Sequence, residues 1–166
     1  MKTETGSAKI ERYIDDAIAL EAASITALRD MAGDAVGAEE RSLYEAHLTQ
    51  SEGQKQRLEA RLKALGGETK RNIFKDVLNS IGAAATDLLH AAKSDDEKDT
   101  RNLMQAYAME SLEVAVYEAL YCAAESIGDK DTATLARQIQ SEESAMTRKL
   151  FARISGSSVI AVHDAA

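Results

Sequence analysis

The stretch Leu103–Ile127, LMQAYAMESLEVAVYEALYCAAESI, decides the fold. Leu103, Ala106, Glu110, Glu113, Tyr117, Leu120, Ala124 and Ile127 alternate between spacings of three and four, which on a helix places them on one inward face. Two of them are glutamates one turn apart. An inward-packed carboxylate costs several kcal/mol to desolvate unless it is paired, protonated or bound to a cation. The helix is therefore expected to pack in a bundle and to carry charge into its core.

The same pattern extends in both directions. A first helix is predicted from about Ala8 to Ala32, with Ile10, Ile14, Ala17, Glu21, Ile25, Leu28 and Ala32 on one face. Gly33-Asp34 interrupts it. A second helix follows over about Val36–Leu65, with Tyr44, Leu48, Glu52, Lys55, Leu58, Leu62 and Leu65 as its stripe and Gly66-Gly67 as its stop. Gly53, inside that helix, is expected to let a neighbouring helix approach. Between Glu68 and Lys93, the residues Ile73, Val77, Leu78, Ile81, Ala84, Leu88 and Leu89 keep helical spacing and predict a connecting helix. Ser94-Asp95-Asp96-Glu97 resembles an N-cap followed by first-turn acids, which opens the third helix. The last helix spans about Asp131–Ile154 with Leu135, Ile139, Glu142 or Glu143, Met146 and Leu150 inward. Residues 8–155 thus form one domain, with a flexible start over 1–7 and a mobile tail over 156–166.

Composition agrees with an all-α class. The 166 residues contain no proline and only 4% aromatics, so the strongest helix breaker is absent. A net charge of -8 repels phosphate backbones and attracts cations, which argues against a nucleic-acid partner. The lone Cys122 excludes an internal disulfide framework and reads as a small buried hydrophobe. No apolar run reaches membrane-spanning length, and no signal peptide is evident, so a cytoplasmic protein with no membrane partner is expected.

The halves echo one another. Leu20-Glu21-Ala22-Ala23 resembles Leu112-Glu113-Val114-Ala115, and Gln50-Ser51-Glu52 resembles Gln140-Ser141-Glu142. Glu21 and Glu52 in the first half, with Glu113 and Glu143 in the second, would meet at one level of an antiparallel bundle. The Gln-Ser-Glu echo favours Glu142 for the last position, while the hairpin spacing favours Glu143. Four converging carboxylates suit a hard divalent cation, and paired helices bearing Glu and Glu-x-x-His hold the ions of di-iron and di-manganese carboxylate proteins. Histidines are missing at that spacing: Lys55 and Gln56 follow Glu52, and Met146 and Thr147 follow Glu143. His47 precedes Glu52 by five residues and is read as a flank of the core. Tyr117 is read as a core aromatic whose hydroxyl meets a carboxylate, and Met104, Met109 and Met146 as packing residues.

Leu20-Glu21 through Met31-Ala32, His47-Leu48-x-x-x-Glu52-Gly53-Gln54, Glu110-Ser111-Leu112-Glu113-x-x-x-Tyr117 and Glu142-Glu143 together resemble the blocks of the YciE/YciF-like bacterial stress proteins, over about residues 8–152. The resemblance implies a ferritin-like four-helix bundle with an added connecting helix between the second and third helices. It further implies a homodimer and a di-metal site holding iron, or manganese or zinc. By position it marks Glu21, Glu52, Glu113 and Glu143 as metal ligands, with Glu110 either a ligand or a hydrogen-bond partner of one. Oxidant handling of an oxidase or peroxidase kind would follow. Gln56 and Thr147 stand where the family tends to carry acids, which predicts one stronger and one weakened metal position beside Glu110. The alternative is a non-enzymatic scaffold or stress adaptor with a degenerate site.

Overall fold

The computed structural model describes residues 5–69 and 96–163. Among these, four helices and no strands are present: α1 (Gly6–Asp34), α2 (Ala38–Ala64), α3 (Asp96–Ser126) and α4 (Lys130–His163). The expected connecting helix, and the Ser94-Asp95 start of the predicted cap, lie outside the described residues.

Local chemistry explains the helix ends. The Thr5 hydroxyl accepts from the Ala8 amide and caps α1. Gly66 and Gly128 take φ of +83° and +77°, the left-handed conformation that ends a helix without a Cβ clash. In each turn a following amide returns to an earlier carbonyl, Gly67 to Leu62 and Asp129 to Ala124. Asp129 then caps α4 by accepting from the Thr132 amide, and Arg61 of α2 holds the same carboxylate at 2.6 Å. Helix α1 continues through Gly33, and α4 continues through Gly156 to His163, where an unpatterned tail was expected. With no proline present, an isolated glycine costs only about 1 kcal/mol and does not stop a helix already propagating.

The topology follows from which residues touch. α1 packs on α2 and α3, and α4 packs on α3 and α2. Tyr117 bonds to Glu21, and a Cβ on Gly6 would meet Ile127, so α1 and α3 are antiparallel. Gln54 bonds to Glu143 and Arg61 reaches Asp131, while Arg153 reaches Glu39, so α2 and α4 are also antiparallel. α2 and α3 therefore run parallel. Asp99, in the first turn of α3, accepts from the amides of Val36 and Gly37 at the start of α2. Thus α3 begins at the end of the bundle opposite to where α2 finishes, the arrangement of a bundle with one long crossover.

Two apolar clusters fill the interior. One contains Ile10, Ile14, Ala17, Leu58, Leu62, Leu120 and Ile139, and the other Leu28, Met31, Tyr44, Leu103, Ala106, Met146 and Leu150. Ile25 and Leu135 are only partly buried, while Ile127 lies past the end of α3 and is exposed. Met146 is buried and Met109 packs at the edge, but Met104 is exposed. Cys122 is exposed as well, contrary to expectation. It sits two residues from both Leu120 and Ala124, about 200° around the helix from that stripe. No helix among the described residues is long and apolar enough to cross a membrane.

Leu58 is fully buried within the first of these apolar clusters. Leu58→Ala should destabilise the protein by about 2–5 kcal/mol, read from urea unfolding midpoints. A change within about 0.5 kcal/mol, the range of surface substitutions, would show that the core is not packed as described.

Candidate metal centre

Between the apolar clusters lies a layer of fully buried polar side chains: Glu21 and Ser24 from α1, His47, Ser51 and Gln54 from α2, Glu110 and Glu113 from α3, and Glu143 from α4. Their ligand-type atoms form two groups. One oxygen each from Glu21, Glu113 and Glu143 lie within 4.8 Å of one another, and so do one atom each from His47, Glu110 and Glu143. Glu143 belongs to both. Metal–ligand bonds of roughly 2.0–2.2 Å place ligands on opposite sides of one ion at most about 4.4 Å apart, so each group needs only slight contraction.

Hydrogen bonding within the layer is one-sided. Glu21 Oε1 accepts from the Tyr117 hydroxyl, Glu113 Oε1 from the Ser24 hydroxyl, and Glu143 Oε1 from the Gln54 amide. The Oε2 atoms of all three, both oxygens of Glu110 and both ring nitrogens of His47 are buried with no hydrogen-bond partner among the described residues. His47 Nε2 comes within 2.9 Å of Glu110 Oε2 and 3.6 Å of Glu143 Oε2, but outside the geometry of a hydrogen bond. Each anchored carboxylate therefore keeps one oxygen fixed by a donor and presents the other inward. Donors that orient a ligand while leaving its second atom free are the usual support of a metal site. The residues present thus fit a divalent cation on their own chemistry.

The electrostatics agree. Burial raises the Glu21 carboxyl to about 8, against the stabilising effect of the Tyr117 hydrogen bond, and Glu110 to about 7. Glu143 rises to about 9, through burial and then through the Glu110 carboxyl beside it. Glu113 is held well above the carboxylate range by burial and by Glu21, Glu110 and Glu143 around it. Burial lowers His47, which favours the neutral imidazole that can ligate. Tyr117 is pushed up by burial and by Glu21, so it stays a hydrogen-bond donor.

The helical stripes deliver Glu21, Glu110, Glu113 and Glu143 to one layer and leave Glu142 at its edge. Glu52 is not brought there. Its side chain is 48% exposed and lies 3.4 Å from Arg29 Nη2. The buried face of α2 is Tyr44, His47, Ser51, Gln54, Leu58 and Leu62. It shares both ends with the predicted stripe but shifts by one residue, about 100°, through the middle turns. Leu48 drew the sequence reading outward, whereas the true face carries polar residues because it lines the carboxylate layer. The same shift makes His47 a member of the cluster instead of its flank, and places Gln56 on the outside. Thr147 is half-buried and donates to the Glu143 carbonyl, so the layer of Glu110 is completed by His47. A Cβ on Gly53 would meet nothing within 4 Å among the described residues, so none of the other three helices approaches there. The missed members could have been found from the spacing of His47, Ser51 and Gln54, three polar residues in step with Tyr44 and Leu58.

Residues 11–158 match the family described as a domain of unknown function, DUF892. Among solved structures, the E. coli stress protein YciF superposes with a TM-score of 0.82 at 20% identity, covering 94% of this chain and 98% of that one. A protein from Xanthomonas campestris pv. campestris gives 0.79 at 21%, covering 96% and 98%. YcfI from Rhodopseudomonas palustris gives 0.79 at 22%, covering 90% and 94%. Identities this low show a shared fold. A search of curated proteins finds no match.

The raised carboxyls make the metal-free protein sensitive to base. Unfolded, they titrate near 4.5. Folded, Glu110, Glu21 and Glu143 hold their protons to about 7, 8 and 9. Their contribution is complete below about 4.5 and is lost as pH rises toward 9. The lowered His47 acts oppositely, but only below about 6.5, and is one group against four. The melting temperature of chelator-treated protein should therefore fall steadily between pH 5 and 9. A melting temperature that is flat or rises over that range would contradict the protonated carboxyl layer.

Proposed function

The chain belongs to the DUF892 family, and from the geometry of its buried layer we propose that it is a ferritin-like protein that binds divalent metal, iron or a similar ion, at two adjacent positions to both of which Glu143 belongs. The observation that carries this reading is the set of carboxylates with one oxygen anchored and the other unpartnered in the core. Glu21, Glu113 and Glu143 supply one position, and Glu110, His47 and Glu143 the other. The first has three carboxylates and suits a hard cation better than the second, where an imidazole replaces one of them. One position is therefore tighter than the other.

Bound iron would supply one-electron chemistry toward dioxygen or peroxide. The chain's own part is to hold the ligands and manage protons. Tyr117, Ser24 and Gln54 fix the outer oxygens, the apolar clusters on either side exclude water, and the buried carboxyls would release their protons on ligating a cation. Protection of the cell under stress by metal or oxidant handling fits this arrangement and its likeness in fold to the E. coli stress protein YciF. A homodimer remains part of the proposal, with exposed Phe151, Val159 and Val162 along α4 as the apolar strip a second copy would cover. Sedimentation of Val159→Asp should show monomer where the parent protein is dimeric, and a monomeric parent would remove this element.

A second reading has the layer stay protonated, with the protein working through its surface. The raised Glu21 and Glu143 carboxyls favour it. Anaerobic titration with Fe²⁺ or Co²⁺, followed by metal analysis, separates the two. The metal reading expects stoichiometric uptake, a higher melting temperature and, in Glu113→Gln, an affinity weaker by on the order of tenfold or more. If wild-type protein retains no metal after titration, the scaffold reading stands. If uptake is stoichiometric but unchanged in Glu113→Gln, that residue is not a ligand.

A further inference from the structure

Glu142 and Glu143 are consecutive on α4, but only Glu143 enters the core. Glu142 stays at the rim with its side chain 34% exposed, gripped by both Arg57 amino groups at 3.0 and 2.5 Å. One side chain joins the two. Gln54 Nε2 donates to Glu142 Oε2 at 3.0 Å and also to Glu143 Oε1. Gln54 itself is fully buried, and its Oε1 has no hydrogen-bond partner among the described residues. A continuous polar line therefore runs from solvent through Glu142 and Gln54 to the carboxylate shared by both metal positions. Among the described residues, apolar clusters cap the layer at its two ends.

We propose that Glu142 is the capture site for a divalent cation on its way inward, and that the Gln54 amide is the gate between Glu142 and Glu143. With no cation present, the amide presents its donor to both carboxylates and Arg57 neutralises the outer one. A hydrated divalent cation competes with Arg57 for Glu142, since both are cationic partners of the same exposed carboxylate. Rotation of the Gln54 amide then exchanges a donor for an acceptor, and Oε1 becomes a neutral oxygen ligand between the two carboxylates. The cation passes to Glu143, and the amide returns. An amide suits this position because one rotation reverses its polarity with no change in charge. Arg57 lies beside the route as a rim cation with its side chain 38% exposed, free to re-form the pair once the cation has moved on.

This inference rests on the metal-binding reading above, and its test distinguishes the two. Stopped-flow uptake of Co²⁺, read by its visible absorbance, gives a rate, and metal analysis at equilibrium gives a stoichiometry. Glu142→Gln should slow uptake by on the order of tenfold, as expected when a capturing charge is removed, with stoichiometry unchanged. Glu52→Gln, which removes a more exposed carboxylate of α2 that pairs with Arg29 of α1, should leave the rate unchanged. The double variant Glu142→Gln/Arg57→Gln should stay slow. Recovery of the rate there would mean that the freed guanidinium, and not the lost carboxylate, was responsible, and would overturn the proposal. Unaltered uptake in Glu142→Gln, or equal slowing in Glu52→Gln, would overturn it too. A lowered stoichiometry in Glu142→Gln would make Glu142 a resident ligand and not a transit site. Wild-type protein that takes up no Co²⁺ would instead sink the metal-binding reading beneath it.

Discussion

Four carboxyl groups from three helices are buried side by side, and everything else in the bundle is arranged around that burial. Unpaired carboxylates in an apolar interior would repel one another and lose their hydration, at a cost comparable to the whole stability of a domain. Protons answer this in the absence of a cation, because burial lifts the carboxyls into the neutral range. A cation would answer it otherwise. In either state the layer must be flanked by well-packed apolar clusters, and it is.

The constraint explains the uneven character of the helices. α3 contributes two glutamates and a tyrosine on one face and, apart from Asn102, otherwise buries small or aliphatic residues. α2 shows little apolar stripe through its middle, since its inward residues are His47, Ser51 and Gln54. Donors are placed where they fix one oxygen and spare the other. Tyr117 and Ser24 serve the α1–α3 side, and Gln54 the α2–α4 side. The antiparallel pairings of α1 with α3 and of α2 with α4 bring these partners level. Asp99 at the start of α3, held by the amides that open α2, sets α2 and α3 parallel.

Much of this was legible along the chain. The stripes of α1, α3 and α4 hold their three-four rhythm through apolar residues, so Glu21, Glu110, Glu113 and Glu143 could be read by interpolation between neighbours that pack. Glu52 failed for the complementary reason. Leu48 is a partly buried edge residue, and counting from it moved the middle of α2 by one position. The Gln-Ser-Glu echo was real as a string. Its counterpart of Glu52 is Glu142, and both prove to be rim carboxylates paired with arginines. Cys122 was misjudged because the composition of α3 suggests an apolar interior, although its angular position does not.

By itself the amino-acid order determined that the chain is helical, where three of the four stripes face, and that acids interrupt them. Those are consequences of local backbone geometry and of a period that can be counted. Only the tertiary structure decided which polar residues of α2 join the acids, which oxygens are anchored and which are free, and that one carboxylate serves two groups. Those outcomes depend on the rotation of each helix against its neighbours, which packing sets through contacts between residues far apart in the chain.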